Sequence, residues 1–296
     1  MITVFTPTYN RKKLLSRLKD SLENQTNQNF EWLIVDDGSC DATNDYINTI
    51  IKTSKLNIRY HYQQNAGKHI AFNKGLDLAK GDYFLCVDSD DYLVENAIEI
   101  IEDNVKKIDE KTIGLIFRME YGDRNISSIW DTIDQKLLFP DETKERYGIT
   151  ETVLVTRTSV LKKYRFPIIR NKDGDIEKFS PEGLLYNQTV TDGPYKAINQ
   201  IIYIGEYQND GLTNNLFTKT WVENYNTVLV ALSNRYNYSK RYSFSIRVKA
   251  RFKTIMNINA LCMELKLNIW EHTPSVFLSI LLYVPSFLFG KVRFGK

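Results

Sequence analysis

The sequence predicts an α/β fold, an open and mostly parallel sheet flanked by helices, followed by a helical, basic C-terminal extension. Three observations predict it. Short β-rich runs alternate with helical runs from the start of the chain. A polar cluster follows each of the first four predicted strands, where the ligands of such sheets bind. The formal charge changes from −6 over residues 1–215 to +9 over residues 216–296.

The first four strands are short and rich in β-branched and aromatic residues, and the first of them is expected to stop at Pro7. They are predicted at Ile2–Thr6, Phe30–Val35, Ile58–Tyr62 and Tyr83–Val87. Helical spacing of apolar residues predicts helices between them, over residues 14–22, 46–51 (with Asp41 as its cap) and 70–79.

The pattern continues more irregularly to about residue 215. We expect a helix over Ala97–Ile108, a strand at Gly114–Met119, an irregular polar stretch to Gly148, and a strand at Val153–Thr156. A helix over Glu182–Asn187 and a late strand at Ile201–Tyr207 follow. We therefore predict one domain over residues 1–215, with halves at 1–112 and 113–215, and a second region over 216–296.

The composition is that of an ordinary globular protein, with 43% hydrophobic and 25% charged residues. Cys40, Cys86 and Cys262 are scattered, which predicts neither a disulfide framework nor a zinc cluster and favours a reducing compartment. No secretory signal peptide is expected at the start of the sequence, because strand-like residues begin at Ile2. These observations predict a cytoplasmic protein.

Four polar clusters carry the candidate chemistry. They are Thr6–Arg11, Asp36–Ser39, Asn65–Lys68 and Asp88–Asp91. Each one alone would be an ordinary turn sequence, but their recurrence after every early strand predicts a shared crevice. Within the last cluster, Asp88 and Asp90 offer the oxygen ligands that a hard divalent cation carrying a diphosphate prefers.

In this order, the four clusters resemble the motifs of the inverting family 2 glycosyltransferases of the GT-A fold, of the bacterial polysaccharide-biosynthesis type. The resemblance covers roughly residues 1–215. It implies a Rossmann-like mixed sheet, a nucleotide-diphospho-sugar donor (usually a UDP-sugar) and a divalent cation, Mg²⁺ or Mn²⁺.

The resemblance also implies roles for individual residues. Asp90 matches the principal metal ligand, and Asp88 matches a carboxylate beside the ribose that also serves the metal. Asp36 or Asp37, with Asp37 favoured, matches the carboxylate that hydrogen-bonds the uracil. The full set placed around the donor is Thr6, Pro7, Tyr9, Arg11, Asp36, Asp37, Gly67, Lys68, Asp88 and Ser89.

Glu182 is the candidate catalytic base, because Pro181-Glu182-Gly183 lies where the family places its acidic base motif. Gly183 replaces the second acid of the commoner motif, and the alternative is that Glu182 only caps its helix. Glu151 is expected either near the donor sugar or acceptor or in a surface salt bridge. His69 is expected to face the nucleotide or to be an ordinary helix-start residue.

Residues Glu206–Thr213 resemble the loop that closes over the donor in this type of family member. Many relatives carry a histidine metal ligand there, and this sequence has none. We therefore expect diphosphate and water to complete the shell of the metal held by Asp88 and Asp90.

Three interpretations of the basic tail are possible: a patch that binds nucleic acid, a surface that binds a membrane, or a solvated helical face. No nucleic-acid motif accompanies it. Basic residues mixed with aromatics suit an anionic headgroup layer, and Pro274–Phe289 has sixteen residues without charge. We expect an interfacial segment there, the alternative being a helix packed on the domain or in a dimer, so a homo-oligomer is compatible with the sequence.

The predicted function is transfer of a sugar from a nucleotide-diphospho-sugar to a hydroxyl of a lipid-linked saccharide, at the inner face of the cell membrane. Two rivals are a nucleotidyltransferase acting on sugar phosphates and a non-catalytic sugar-nucleotide-binding membrane module. A nucleotidyltransferase would want a glycine-rich loop after the first strand, and Thr6–Asn10 contains no glycine.

Overall fold

The computed structural model describes residues 1–121, 127–206 and 215–295. The chain forms two compact units. The first consists of Met1–Pro140, Ile149–Arg165 and Thr191–Gln208, and the second of Asp141–Gly148, Phe166–Val190 and Asn209–Lys296. The predicted domain boundary at residue 215 and the predicted halves stay predictions.

The first unit contains a mixed sheet with the strand order β3-β2-β1-β4-β8-β6-β9-β5 among the described residues, and β7 pairs with β9. The strands are β1 (Ile2–Thr8), β2 (Phe30–Asp36), β3 (Ile58–Tyr62), β4 (Tyr83–Cys86), β5 (Tyr92–Leu93), β6 (Gly114–Tyr121), β7 (Leu137–Leu138), β8 (Thr152–Arg157) and β9 (Tyr195–Gly205). The first four strands are parallel, whereas β8 is antiparallel to both β4 and β6.

Helices cover the sheet and build the second unit. They are α1 (Lys12–Glu23), α2 (Thr43–Thr53), α3 (Lys68–Leu78), α4 (Ala97–Val105), α5 (Ser127–Ile133), α6 (Pro140–Tyr147), α7 (Thr158–Leu161), α8 (Gly183–Thr189), α9 (Trp221–Glu223), α10 (Tyr225–Tyr238), α11 (Phe244–Leu265), α12 (Ile269–His272), α13 (Val276–Leu281) and α14 (Tyr283–Arg293). A π-helical turn at Leu216–Thr220 and a 3₁₀ turn at Ser239–Arg241 complete the set.

The core of the first unit lies where the apolar faces of α1, α2 and α4 meet the sheet. Leu15, Leu18 and Leu22 of α1 are buried, as their helical spacing predicts. Trp32 of β2 is fully buried in the same cluster. Residues of parallel strands covered by helices lose water on both faces, which explains why β1 and β2 are buried at every position.

Two predictions about the early elements need correction. The first strand does not stop at Pro7 but continues to Thr8, with Pro7 opposite Val35 of β2. The pairing of β1 with β4 ends at Phe5, so the missing N–H of Pro7 removes no bond from that ladder. Asp41 does not occupy the N-cap position of α2, which is Ala42, but its carboxylate accepts the Thr43 N–H at 2.9 Å.

The prediction of an irregular stretch up to Gly148 is wrong. This stretch contains α5, β7 and α6. Trp130 and Ile133 of α5 are fully buried, and α5 packs on β9. Local sequence periodicity is weak here, and burial against a strand far along the chain stabilises the helix. The late strand also starts earlier than predicted, at Tyr195, and the predicted end at Tyr207 lies outside the described residues.

The second unit has its own core, formed mainly by α10, α11 and α14. Its buried residues include Trp221, Val228, Ile258 and Leu282. The single basic helix or helix pair expected over residues 240–270 is α11 followed by the short α12, and the uncharged segment 274–289 divides into α13 and the start of α14. Among the described residues, no helix combines the length and apolarity needed to cross a bilayer.

Glu145 forms a buried ion-pair cluster within the second unit. Its side chain is fully buried and accepts hydrogen bonds from Arg235 at 2.6 Å and from Lys253 at 3.0 Å. Burial alone would raise the pKa of Glu145, but the Lys253 hydrogen bond and the Arg235 charge outweigh it, so the pKa lies below its usual value.

We predict that Glu145→Gln lowers the free energy of unfolding by about 1.5–3 kcal/mol, because Lys253 loses its anion and Arg235 keeps only Asp141. The matched control, Glu23→Gln, removes a partner of Lys19 that is more exposed than Glu145, and it should cost less than about 1 kcal/mol. The lowered pKa means that the Glu145 contribution is complete above about pH 4.3 and fades as the pH falls through the folded-state pKa. Urea denaturation at pH 7 and pH 3 checks both statements, and equal costs for the two variants would contradict them.

Candidate active site

The four polar clusters lie at the carboxyl ends of β1, β2, β3 and β4 in the first unit. These strands are neighbours in the order β3-β2-β1-β4 and run parallel, so their ends meet at one edge of the sheet. The structure therefore brings together the clusters that the sequence predicted to share a crevice.

Asn10 joins the loop after β1 to the loop after β2. Its backbone has a φ of 53°, a left-handed conformation that asparagine tolerates better than most residues. The Asn10 N–H donates to Ser39 Oγ at 2.9 Å, and its side-chain Oδ1 accepts the Cys40 N–H at 2.9 Å. The two loops are thus fixed to each other.

Asp36 is fully buried at the end of β2. Its Oδ1 accepts the Ser39 N–H at 2.8 Å, and its Oδ2 accepts the Tyr60 hydroxyl at 3.1 Å. Burial and the Asp36 charge raise the pKa of Tyr60, so this hydroxyl keeps its proton and donates. The Asp36 carboxylate therefore shapes the loop of which it is part and ties it to β3.

Asp37, the residue favoured for uracil recognition, is also buried. Its carboxylate accepts the backbone N–H of Ala66 at 2.9 Å and of Gly67 at 2.8 Å, together with the Gln63 amide at 2.8 Å. Charge-assisted hydrogen bonds of this kind offset the cost of burying an anion. Asp37 thereby holds the loop that leads from β3 into α3.

Two glycines allow this close approach. Gly38 has a φ of 84°, and a Cβ atom at this position would lie 2.6 Å from the backbone nitrogen of Asn65. Gly67 has a φ of 99° and stands at the N-cap of α3. The next residue, Lys68, is the first residue of that helix, and its ammonium lies 2.8 Å from the Asp88 carboxylate.

Asp88, Asp90 and Asp91 form an acidic cluster after β4. One carboxylate oxygen from each lies within 4.8 Å of the others. Burial, and then repulsion by Asp88, raise the pKa of Asp90, while the charges of Arg11 and Lys68 act in the opposite direction. The predicted residues Arg11, Lys68, Asp88 and Asp90 thus interact at one site.

Asp91 is the most constrained member of this cluster. Its Oδ2 accepts the Tyr203 hydroxyl at 2.7 Å, and its Oδ1 accepts the Glu206 N–H at 2.9 Å. The Tyr203 oxygen also accepts the Asp88 N–H at 3.1 Å. Burial raises the pKa of Asp91 to about 7. Tyr203 therefore links β9 to the acidic cluster.

Arg17 of α1 fixes the backbone of the cluster from the other side. Its guanidinium donates to the carbonyl oxygen of Asp90 at 2.7 Å, pairs with the Glu206 carboxylate, and lies 4.7 Å from the centre of the Tyr92 ring. Among the described residues, the Asp90 carboxylate accepts a hydrogen bond from its own backbone, whereas Asp88 pairs with Lys68 and Asp91 accepts from Tyr203 and Glu206. Asp90 is therefore the carboxylate of this cluster that protein contacts occupy least.

The other residues predicted to surround the nucleotide-sugar donor differ in solvent exposure. Thr6 is buried, and its hydroxyl accepts the Trp32 indole N–H at 3.0 Å. Pro7 and Ser89 are buried, whereas Tyr9 is 47% exposed. Of this group, Tyr9 is the residue whose side chain is most accessible to a ligand.

The remaining candidates lie apart from this cluster in sequence. His69 is buried, and burial lowers its pKa to about 4, so it is neutral at pH 7. Glu151 is exposed just before β8. Glu182 belongs to the second unit, where it is exposed at the N-cap position of α8 and its side chain makes no capping hydrogen bond. The predicted closing loop is described only at Glu206; Tyr207–Thr213 lie outside the described residues.

Sequence reasoning missed the roles of Asp91, Tyr203 and Arg17. Asp91 stands in the quoted motif, and its burial is the feature that a motif does not report. Tyr203 is 112 residues from Asp91, and nothing in its sequence neighbourhood marks it. Arg17 reads as an ordinary polar position of an amphipathic helix.

The acidic cluster has the chemistry that a divalent cation requires. It offers hard carboxylate oxygens, and burial, followed by repulsion from Asp88, raises the pKa of Asp90, so a bound cation would stabilise its charged form. Asp88 and Asp90 would hold the ion, and the donor set suits Mg²⁺ or Mn²⁺ rather than a soft metal.

The comparisons with known proteins agree with this geometry. The family model described as "Glycosyl transferase family 2" matches residues 3–169, more than half of the chain. The chain belongs to glycosyl transferase family 2. It is therefore a glycosyltransferase rather than a nucleotidyltransferase or a non-catalytic module, and the resemblance found in the sequence is confirmed.

Two curated relatives illustrate the range of the family. Glycosyltransferase GlyG of Streptococcus pneumoniae is 24% identical over 230 residues, which are 75% of this chain and 75% of that protein. The chondroitin synthase of Pasteurella multocida is 27% identical over 208 residues, which are 69% of this chain but 20% of that protein.

Solved structures resemble the chain over nearly its whole length. TarS 1–349 of S. aureus in complex with UDP has a TM-score of 0.61 at 17% identity and covers 100% of this chain and 92% of its own. The same TarS fragment in complex with UDP-GlcNAc has a TM-score of 0.59 at 19% identity. Mannosyltransferase PcManGT of Pyrobaculum calidifontis, in complex with GDP-Man and Mn²⁺, has a TM-score of 0.54 at 16% identity and covers 97% of this chain and 79% of its own. These likenesses confirm the GT-A fold.

We predict that Gly38→Ala destabilises the protein far more than Gly148→Ala. Both glycines have positive φ, so each substitution should cost about 1–2 kcal/mol of backbone strain. A Cβ atom at Gly148 meets no atom within 4 Å, whereas one at Gly38 clashes with Asn65 and should add about 1–3 kcal/mol. Urea denaturation measures the difference, and equal destabilisation would show that the two loops are not in tight contact.

Proposed function

We propose that this glycosyltransferase moves a sugar, with inversion, from a nucleotide-diphospho-sugar to a hydroxyl of a lipid-linked saccharide during synthesis of a cell-surface polysaccharide. The observation that carries the proposal is the acidic cluster of Asp88, Asp90 and Asp91 beside Lys68, at the carboxyl ends of parallel strands. Carboxylates that hold a cation, with an ammonium beside them, suit a diphosphate group.

A UDP-sugar is the donor we favour. TarS, with which the chain shares its fold, is described in complex with UDP and with UDP-GlcNAc, while PcManGT is described with GDP-Man. The name of the chondroitin synthase relative supports a polysaccharide product. Thr6, Pro7, Tyr9 and Arg11 are proposed to line the base and diphosphate, with Asp37 toward the uracil.

The proposed metal is Mg²⁺ or Mn²⁺, held by Asp90 and Asp88. When bound, it would supply positive charge to the leaving diphosphate. Lys68 would contribute a second positive charge, since its ammonium already lies 2.8 Å from Asp88. Asp91 would position the cluster through Tyr203 rather than bind the substrate.

Glu182 is proposed as the base that removes the proton from the acceptor hydroxyl. In that step the acceptor oxygen bonds to the anomeric carbon while the bond to the diphosphate oxygen breaks, which inverts the configuration. This role rests on the family resemblance and is supported by the exposure of Glu182 beside the start of α8. A lipid-linked acceptor would place the enzyme in the cytoplasm, peripheral on the inner face of the membrane.

We predict that Asp90→Asn abolishes the Mn²⁺-dependent part of the increase in melting temperature that UDP produces, because one negative metal ligand is lost. Hydrolysis of a UDP-sugar chosen from a panel should fall by about 10²–10³-fold. The matched control is Asp82→Asn, which changes an exposed carboxylate that pairs with the N-terminal amine at 3.1 Å. A full Mn²⁺-dependent shift in Asp90→Asn would contradict the metal site.

We predict that Glu182→Gln lowers sugar transfer by about 10²–10⁴-fold, the range expected for loss of a general base, and leaves UDP binding unchanged. Glu223→Gln, an exposed substitution in the same unit, is the control. Initial rates and UDP titrations on both variants separate chemistry from binding. Transfer by Glu182→Gln at the wild-type rate would exclude Glu182 as the base.

A further inference from the structure

The helices α13 and α14 carry a row of large apolar side chains on their solvent side. The hydrogen bonds from the Leu282 N–H to Leu278 at 2.9 Å and from the Ser286 N–H to Leu282 at 2.8 Å continue the helical pattern across their junction. The exposed fractions of these side chains range from 53% at Val276 to 85% at Val292. We define the outer face as Val276, Phe277, Ile280, Leu281, Val284, Leu288 and Val292.

The side of these helices that packs inward combines small or polar residues with the apolar Leu278, Leu282 and Phe289. Ser279 and Ser286 are fully buried, beside the buried Leu282. A Cβ atom at Gly290 would lie 3.4 Å from the Cβ of Ala260 in α11, so the two helices are close there. The Asn259 amide of α11 donates to the Ser279 carbonyl at 3.0 Å.

A helix at a water surface exposes mainly polar residues, whereas the solvent side of α13 and α14 carries large apolar ones. Helices in lipid pack through Gly, Ser and Ala and turn large apolar side chains outward, because lipid tails solvate them as well as a protein core does. The outer face therefore suits hydrocarbon rather than water.

The end of α14 adds positive charge to this face. The Lys291 ammonium lies 4.7 Å from the centre of the Phe287 ring. The Arg293 guanidinium lies 3.6 Å from the centre of the Phe217 ring and 5.0 Å from that of Trp221. No Asp or Glu occurs in residues 272–296, and in the described part of the chain no carboxylate pairs with Lys291 or Arg293.

Among the described residues, Arg293 is therefore a cation in contact with aromatic rings and paired with no carboxylate. Burial lowers its pKa to about 10, which still leaves it charged at neutral pH. The start of α11 has a second apolar row of this kind. Phe244, Val248 and Phe252 are exposed at helical spacing of four, and the Arg247 guanidinium lies 5.7 Å from the centre of the Phe244 ring.

We propose that the outer face of α13 and α14 binds the surface of an anionic phospholipid bilayer, with Lys291 and Arg293 at the level of the phosphates. Apolar side chains beside cations match the acyl and headgroup layers of such a bilayer. The inference deepens the proposed function, since it rests on a lipid-linked acceptor for its purpose, but its surface is independent of the catalytic residues. A dimer contact through the outer face would bury the apolar side chains but would not account for the positive charges of Lys291 and Arg293.

The test uses the full chain and vesicles of phosphatidylcholine with or without phosphatidylglycerol. Wild-type protein should co-sediment with the anionic vesicles at least about tenfold more strongly than with the neutral ones, and added salt should weaken it. The variant Val284→Thr/Leu288→Gln/Val292→Thr keeps the charge and should lose at least about tenfold in binding, because apolar burial supplies affinity. Lys291→Gln should reduce the preference for anionic vesicles by about fivefold.

The matched control is Leu137→Gln/Ile168→Thr/Val230→Thr, which makes equivalent changes at exposed positions outside α13 and α14 and should bind vesicles as wild type does. Failure of the wild type to bind anionic vesicles, or equal binding by the outer-face variant, would overturn the inference. So would a dimer in analytical ultracentrifugation that the outer-face variant abolishes, if vesicles do not bind. UDP-sugar hydrolysis without vesicles, measured in parallel, tests the proposed function separately.

Discussion

The candidate site depends on the burial of one carboxylate, that of Asp37. A buried anion is tolerated only where donors surround it, and here two of the donors are the backbone N–H groups of Ala66 and Gly67 from the loop after the next strand. This requirement fixes the loop after β2 to the loop after β3, and Gly38 permits the approach. The start of α3 is thereby fixed as well, and its first residue, Lys68, reaches Asp88 after β4. One electrostatic constraint thus orders three of the four strand ends.

The acidic cluster shows how identical side chains acquire different properties from their surroundings. Both oxygens of Asp91 are bound by groups from β9 and the residue after it, so that Asp91 acts on the position of the cluster. Asp90 has its backbone held by Arg17 while its carboxylate stays uncommitted to other side chains of the described chain. Under the proposed function, a divalent cation would add to Lys68 and Arg11 in relieving the repulsion between Asp88 and Asp90. The contacts of Tyr203 with Asp91 and of Arg17 with the Asp90 backbone thus give the two carboxylates different surroundings.

The sequence predicted the early strands and helices well because their signals are local. The spacing of Leu15, Leu18 and Leu22 defines the buried face of α1 without reference to any other element. The helix α6 has no such signal: most of its residues are charged, and Glu145 is stabilised by Arg235 and Lys253, which lie 90 and 108 residues away. The site divides in the same way. The carboxylates at strand ends can be recognised as motifs in the sequence. The hydrogen bonds of Tyr203 with Asp91 and Asp88, however, depend on the pairing of strands that are distant in the sequence.

In the C-terminal region, the exposure of the side chains distinguishes the two sides of α13 and α14. The sequence of residues 274–289 is uniformly uncharged, so that hydropathy alone does not distinguish a core helix from an interfacial one. In the structure Ser279, Leu282 and Ser286 are buried, whereas the valine, leucine, isoleucine and phenylalanine side chains of the outer face are exposed. Under the proposed membrane contact, the net charge of residues 216–296, +9, would add electrostatic attraction to an anionic surface, and added salt would weaken that attraction.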